Sequence, residues 1–175
     1  MTTQTDQPQA LTELVWAELA EVPDPELPVV SVVDLGVVRR VAVDGATVTV
    51  ELLPTFVGCP AIELMRSAVA ERLARVAERV EVSVTFAEPW TTGRISAEGR
   101  RKLREAGIAP PHGTAPGGGD GPLPLIPLIP VRAAVPCPSC GSSDTRLENP
   151  FGSTLCRAMH WCAACRQPFE EFKPV

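Results

Sequence analysis

Histidine is nearly absent from this chain, with two residues in 175. His112 and His160 are the whole imidazole supply, so general-base capacity near neutral pH is small and a histidine-rich open metal site is excluded. The nucleophile-elbow motif of serine hydrolases and the glycine-rich phosphate loop are both missing. A cysteine hydrolase using either histidine fits poorly, because both lie in or beyond a proline-rich stretch. The formal charge is −5 and the isoelectric point about 5.1, with no Lys/Arg cluster beside the cysteines. That balance argues against a phosphate-backbone partner, and no nucleic acid is expected. No apolar run approaches the ~18 residues needed to cross a bilayer, and residues 1–10 carry neither a basic nor an apolar stretch. The expectation is a cytoplasmic protein with no membrane partner.

Cysteine is unevenly spread. Five of the six lie between Cys137 and Cys165, and Cys59 stands alone. The crowded group holds two Cys-x2-Cys pairs, Cys137/Cys140 and Cys162/Cys165, separated by 21 residues. Such pairs each present two sulfurs to one ion, and two of them complete a tetrahedral Zn2+ site of the ribbon type. A reducing compartment likewise favours metal-bound thiolates over disulfides. A module of this size buries too little surface to fold unaided, which makes the metal structural. Cys156 is a possible extra thiol, either a small buried apolar residue or a spare group near a second site. His160, close to Cys162, reads as a packing or surface residue.

The expected fold is a two-layer α/β sandwich of α+β type, in the order α-β-β-α-β with a further helix, followed by a small zinc ribbon. Leu11 to Val22 reads as a helix with Leu11, Leu14, Val15 and Leu19, together with Trp16, on one side, stopped by Pro23 and Pro25. Val29 to Val33 follows, and Gly36 to Val43 then turns through Asp44-Gly45 into Ala46 to Leu53, a two-stranded antiparallel ribbon. Pro60 to Arg79 is the strongest helix, with Ile62, Met65, Val69, Leu73 and Val76 in one stripe. Val80 to Phe86 adds a strand reached by a crossover, which suits parallel pairing. Ser96 caps a charged helix that Gly107 ends. Seven prolines and five glycines make up half of the 24 residues 108–131, a linker whose Pro122 to Pro130 part is apolar.

Cys59 precedes Pro60, a residue suited to the first helical position, so Cys59 reads as the N-cap. Free N–H groups there would lower its thiol pKa and make it a good ligand or nucleophile. Asp24-Pro25-Glu26-Leu27-Pro28 is the other marked segment, where two carboxylates project from a turn fixed by prolines. Oxygen ligands near a thiolate suit transient iron or an iron-sulfur fragment.

From Asp24-Pro25-Glu26 through Asp34-Leu35-Gly36 to Thr55, Gly58, Cys59 and Pro60, the chain resembles the small iron-sulfur assembly domain of cytosolic and bacterial cluster-maturation factors. Pro89-Trp90-Thr91-Thr92, Gly107-Ile108-Ala109-Pro110-Pro111, and the tail with Phe151-Gly152-Ser153-Thr154, Cys156, Cys162, Cys165 and Pro168-Phe169 resemble the PaaD-like family of ring 1,2-phenylacetyl-CoA epoxidase components. The domain boundaries that follow are 1–107 for the assembly-like domain, 108–131 for the linker and 132–175 for the zinc ribbon. The resemblance implies a non-catalytic accessory of phenylacetate degradation that matures or delivers iron or an iron-sulfur cluster to the oxygenase or its reductase. Those subunits would be its partners. The alternative is a stable structural or interaction component of the complex without metal transfer. Carried over by position, Cys59, Asp24 and Glu26 are the candidate iron or cluster contacts, and Cys137, Cys140, Cys162 and Cys165 the zinc ligands.

Overall fold

The computed structural model describes residues 6–56, 58–111 and 134–173. They fall into two compact units, residues 1–90 with 94–102 and residues 91–93 with 103–175.

In the first unit, helix α1 (Asp6–Ala20) and helix α2 (Ile62–Leu73) cover one face of a three-stranded sheet. Strand β1 (Val38–Asp44) pairs antiparallel with β2 (Thr47–Leu52), which pairs parallel with β3 (Arg79–Val84). The expected α-β-β-α-β order is therefore present, and the crossover through α2 is what permits the parallel pair. Val48, Val50 and Leu52 alternate with Thr47, Thr49 and Glu51 along β2, and the three apolar residues have no exposed surface. The two-residue loop is Gly45 and Ala46, one position later than expected, with Gly45 at φ 57. A glycine at the first loop position suits a type II′ turn, whose twist matches that of the strands.

Several element boundaries differ from the sequence reading. Val15 and Leu19 are fully buried on α1, but Leu14 is 43% and Trp16 38% exposed. A helix that packs on one layer buries a narrow stripe, and residues one position to either side of Val15 rotate about 100° out of it. Helix α2 is shorter than expected at both ends, and Arg79 already belongs to β3. Phe86 lies beyond β3 and is 65% exposed.

Val29 to Val33 is not a strand. Its bonds are local: Asp24 N–H to Val30 O at 2.9 Å, Val30 N–H to Leu27 O at 3.0 Å, and Val32 N–H to Val22 O at 3.0 Å, with one isolated bridge between Pro23 and Ser31. Prolines 23, 25 and 28 cannot donate to a ladder, and carboxylates take the N–H groups that a neighbouring strand would otherwise receive. Asp24 Oδ1 accepts from Glu26 N–H at 2.8 Å and Leu27 N–H at 2.7 Å, and Asp34 Oδ2 accepts from Ser31 N–H at 2.9 Å.

Asp34 also accepts from Lys102 Nζ at 2.7 Å, which ties helix α3 (Ala97–Glu105) to this turn. Burial alone would raise the Asp34 carboxyl, but the bonds from Lys102 and Ser31 outweigh it and hold the group below the usual carboxylate range. Ser96 caps α3 as expected, its Oγ accepting from Gly99 N–H at 2.9 Å. Gly99 is not merely a weak helix residue, because a Cβ there would lie 2.7 Å from Asp34 O. Trp90 Nε1 donates to Leu35 O at 2.9 Å, and Arg94 Nε to Gly36 O at 3.1 Å.

The second unit is a four-stranded sheet in the order β4-β7-β6-β5, formed by β4 (Ile108–Ala109), β5 (Thr145–Asn149), β6 (Arg157–Cys162) and β7 (Gln167–Phe172). Here the expected 108–131 linker needs correction, since Ile108 and Ala109 pair in parallel with Glu170 and Glu171 and are buried. This unit is described up to Pro111 and again from residue 134. The Pro122 to Pro130 segment lies outside the described residues.

Gly99→Ala should lower stability by about 1–3 kcal/mol through overpacking against the Asp34 carbonyl, although alanine gains nearly 1 kcal/mol in helix propensity. Urea unfolding of the two proteins measures the sign, and a more stable variant would show that the contact gives way freely.

Candidate metal sites

Cys59 sits in the connection from β2 to α2, and Gly58, at φ 87, turns the backbone just before it. The N-cap of α2 is Ala61, not Cys59, and its side chain makes no capping bond. Cys59 lies just before it, its N–H on Phe56 O at 3.2 Å and its carbonyl receiving Ile62 N–H at 3.4 Å. It is 6% exposed.

The expected fall in its pKa is also corrected. Burial pushes the Cys59 thiol up, and the nearby Glu26 and Asp24 carboxylates push in the same direction. The Ala61 N–H and the Thr55 hydroxyl bond to the sulfur and favour the thiolate, but they do not prevail. Those same interactions answer a question the sequence left open: Asp24 and Glu26, over thirty positions away in the chain, lie close enough to act on this sulfur. Asp24 is 4% exposed and uses one oxygen to hold its own turn, while Glu26 is only partly buried. The arrangement is a thiol raised by burial that bonds to the Thr55 hydroxyl and the Ala61 N–H and feels the charge of two carboxylates. The Thr55 hydroxyl had no reading of its own beforehand. Its four-residue spacing from Cys59 does not indicate that the intervening turn folds back.

In the second unit the sulfurs of Cys137, Cys140, Cys162 and Cys165 all lie within 4.8 Å of one another. Cys137 and Cys165 sulfurs are 3.7 Å apart, and those of Cys140 and Cys162 3.6 Å. A tetrahedron with metal–sulfur bonds of about 2.3 Å has edges of about 3.8 Å, so the spacing fits one ion. Each pair is followed by a residue of left-handed conformation, Gly141 at φ 74 and Arg166 at φ 58. That turn aims backbone N–H groups at the sulfurs: Ser139 and Cys140 at Cys137, Ser142 at Cys140, and Gln167 at Cys165.

Burial pushes the Cys137 thiol up, but the Cys140 and Ser139 N–H groups outweigh it and bring it down to about 7. Burial and the neighbouring thiols push Cys165 up to about 12. Four sulfurs this close do not all ionise without a cation among them, and a bound metal supplies that charge. One apolar cluster joins Ala109, Val135, Cys137, Cys162 and Phe169, with Cys165 against it.

Cys156 is not one of the four. Its sulfur lies 3.0 Å from Thr154 Oγ1, and it is partly buried. His160 is also outside the sulfur set: its Nε2 is 2.8 Å from Glu171 Oε2, both residues are buried, and its ring stacks on Phe169 at 5.3 Å. This pair was not foreseen, because it depends on the register that sets β6 against β7.

A family model described as an iron-sulfur cluster assembly protein matches residues 12–84, and one described as the PaaD zinc beta ribbon domain matches residues 128–173. The chain is thus of the class that joins an iron-sulfur-assembly-type domain to a four-cysteine metal-binding ribbon. A protein of Escherichia coli (strain K12), designated the D component of 1,2-phenylacetyl-CoA epoxidase, is 38% identical over 162 residues, covering 92% of either chain. The chain belongs to that PaaD family of epoxidase components. Among solved structures, the crystal structure of a domain of unknown function, DUF59, from Bacillus anthracis is 29% identical with a TM-score of 0.53, covering 57% of this chain and 97% of its own. Among the described residues, no helix is long and apolar enough to cross a membrane.

Because its pKa is raised, Cys59 should be a neutral thiol at pH 7 and react slowly with iodoacetamide. Its alkylation rate, followed by mass spectrometry, should climb with a midpoint above the ~8.5 of a free cysteine. A midpoint below that value would restore the activated-thiolate reading.

Proposed function

We propose that this protein is a non-catalytic, cytoplasmic accessory of a phenylacetyl-CoA epoxidase that matures or delivers iron, as the ion or as an iron-sulfur cluster, to the oxygenase or its reductase. What supports the reading is that the charges of Asp24 and Glu26 act on Cys59 in a domain of the iron-sulfur assembly type. In this reading iron is cargo. Cys59 is its sulfur contact, giving up the thiol proton as the cation arrives and offsets the carboxylate charges. Glu26, the partly exposed carboxylate, supplies an oxygen toward the cargo. Asp24 holds the turn through Oδ1 and adds negative charge. The Thr55 hydroxyl and the Ala61 N–H steady the sulfur once it is ionised.

In the ribbon we assign the metal as Zn2+, held by Cys137, Cys140, Cys162 and Cys165. Four thiolates leave no open position, which suits a structural ion and gives the small module the stability it lacks.

A second reading has one observation in its favour. A thiol 6% exposed and pushed up by burial is also what a packing cysteine looks like, which fits a stable structural component without metal transfer.

Cys59→Ser separates the two. In cells that depend on phenylacetate, it should abolish epoxidase activation and leave the protein's fold and zinc content intact, whereas full activity would leave only the structural role. Cys137→Ser should behave oppositely to Cys59→Ser in metal analysis. The wild type should carry one zinc per chain, and the variant should lose it together with the slow amide exchange of β6 and β7.

A further inference from the structure

Two large apolar side chains project from the connection between β5 and β6: Phe151, 65% exposed, and Leu155, 57% exposed. That connection is not loosely held. Phe151 N–H bonds to Asn149 Oδ1 at 2.9 Å, Gly152 N–H to Arg157 O at 2.8 Å, and Ser153 N–H to Glu170 Oε1 at 2.8 Å. Arg157 pairs with the other Glu170 oxygen at 2.6 Å, with both side chains largely covered. At Gly152 a Cβ would meet both Arg157 and Glu170 at 2.9 Å, so the loop is pressed onto the sheet there. On the far side, Lys173 N–H bonds to Cys156 O at 2.8 Å, and Lys173 Nζ lies 5.6 Å from the centre of the Phe151 ring.

A loop tied down through its polar atoms has no folding reason to leave a phenylalanine and a leucine in water. Preordered apolar groups of this kind are what protein interfaces use as anchors, because little entropy remains to be lost on binding. Near the base of the loop Glu170 is paired with Arg157, while Arg146 and Glu148 form an exposed pair on β5 at 2.5 Å. The charge presented beside Phe151 is the Lys173 ammonium.

We infer that the Phe151–Leu155 loop is a docking surface for another protein of the epoxidase system, whose complementary site is an apolar cleft with a carboxylate at its rim facing Lys173. The inference rests on the reading of the chain as an accessory with protein partners, and it places the contact on the ribbon rather than on the domain that carries Cys59. Both anchors are exposed, so replacing them leaves the core untouched.

The test uses the full-length, zinc-loaded chain against the purified oxygenase and reductase subunits of the epoxidase, with binding measured by biolayer interferometry. Phe151→Ser with Leu155→Ser should weaken binding about tenfold to a hundredfold, as loss of anchor residues does. Lys173→Glu should weaken it less, by an amount that shrinks at high salt. Cys59→Ser should bind like the wild type. Equal binding by the double variant and the wild type would overturn the inference while leaving the accessory reading standing, and no binding by the wild type would overturn both. Wild-type self-association lost in the double variant, with binding to the other subunits unchanged, would make a second copy the occupant and overturn it as well.

Discussion

Prolines at positions 23, 25 and 28 deny this stretch of chain a β-ladder, and the first unit is organised around the substitute. Two aspartates take over the bonding. Asp24 folds its turn onto two N–H groups, and Asp34 gathers Ser31, Lys102 and, through its carbonyl, Ser96 N–H. Trp90 and Arg94 close on the next two carbonyls, Leu35 and Gly36. A carboxylate buried this deeply is tolerable only with its lone pairs filled, which makes the turn a rigid hub. Rigidity here has a consequence for chemistry: it holds Glu26 and Asp24 where their charge reaches Cys59.

The two cysteine sites solve opposite electrostatic problems. Around Cys59 the protein supplies negative charge and keeps the thiol neutral, so the site is receptive to a cation without holding a reactive anion in its absence. In the ribbon the N–H groups bring Cys137 down, while burial and crowding push Cys165 up, so four thiolates together require the charge of a cation. The ribbon also buries the His160–Glu171 pair, with the His160 ring stacked on Phe169.

The clustering of four ribbon sulfurs was legible from spacing, because each Cys-x2-Cys turn brings its two sulfurs to one side. The α-β-β-α-β order was legible too, since Met65, Val69 and Leu73 repeat at helical spacing and Val48 and Val50 at strand spacing. Leu14 and Trp16 misled because an apolar side chain on a surface helix need not face the core. Val29 to Val33 is rich in β-branched residues yet forms no strand, because the prolines and aspartates around it remove the partners a strand requires. Only the tertiary fold sets the Asp34 carbonyl against Gly99. Ile108 and Ala109 read as linker because two residues carry no periodicity, and only pairing with β7 makes them a strand.

What local chemistry dictates was therefore in the chain itself: the Cys-x2-Cys turns, the helix cap at Ser96, the stop at Gly107 and the alternation of β2. Each depends on neighbours a few residues apart. Tertiary structure alone decided the state of Cys59. Its pKa follows from burial and from carboxylates distant in sequence, and these outweigh the N–H groups that its local position promised. Desolvation and Coulomb interaction act through space, so no spacing rule in one dimension carries their sign.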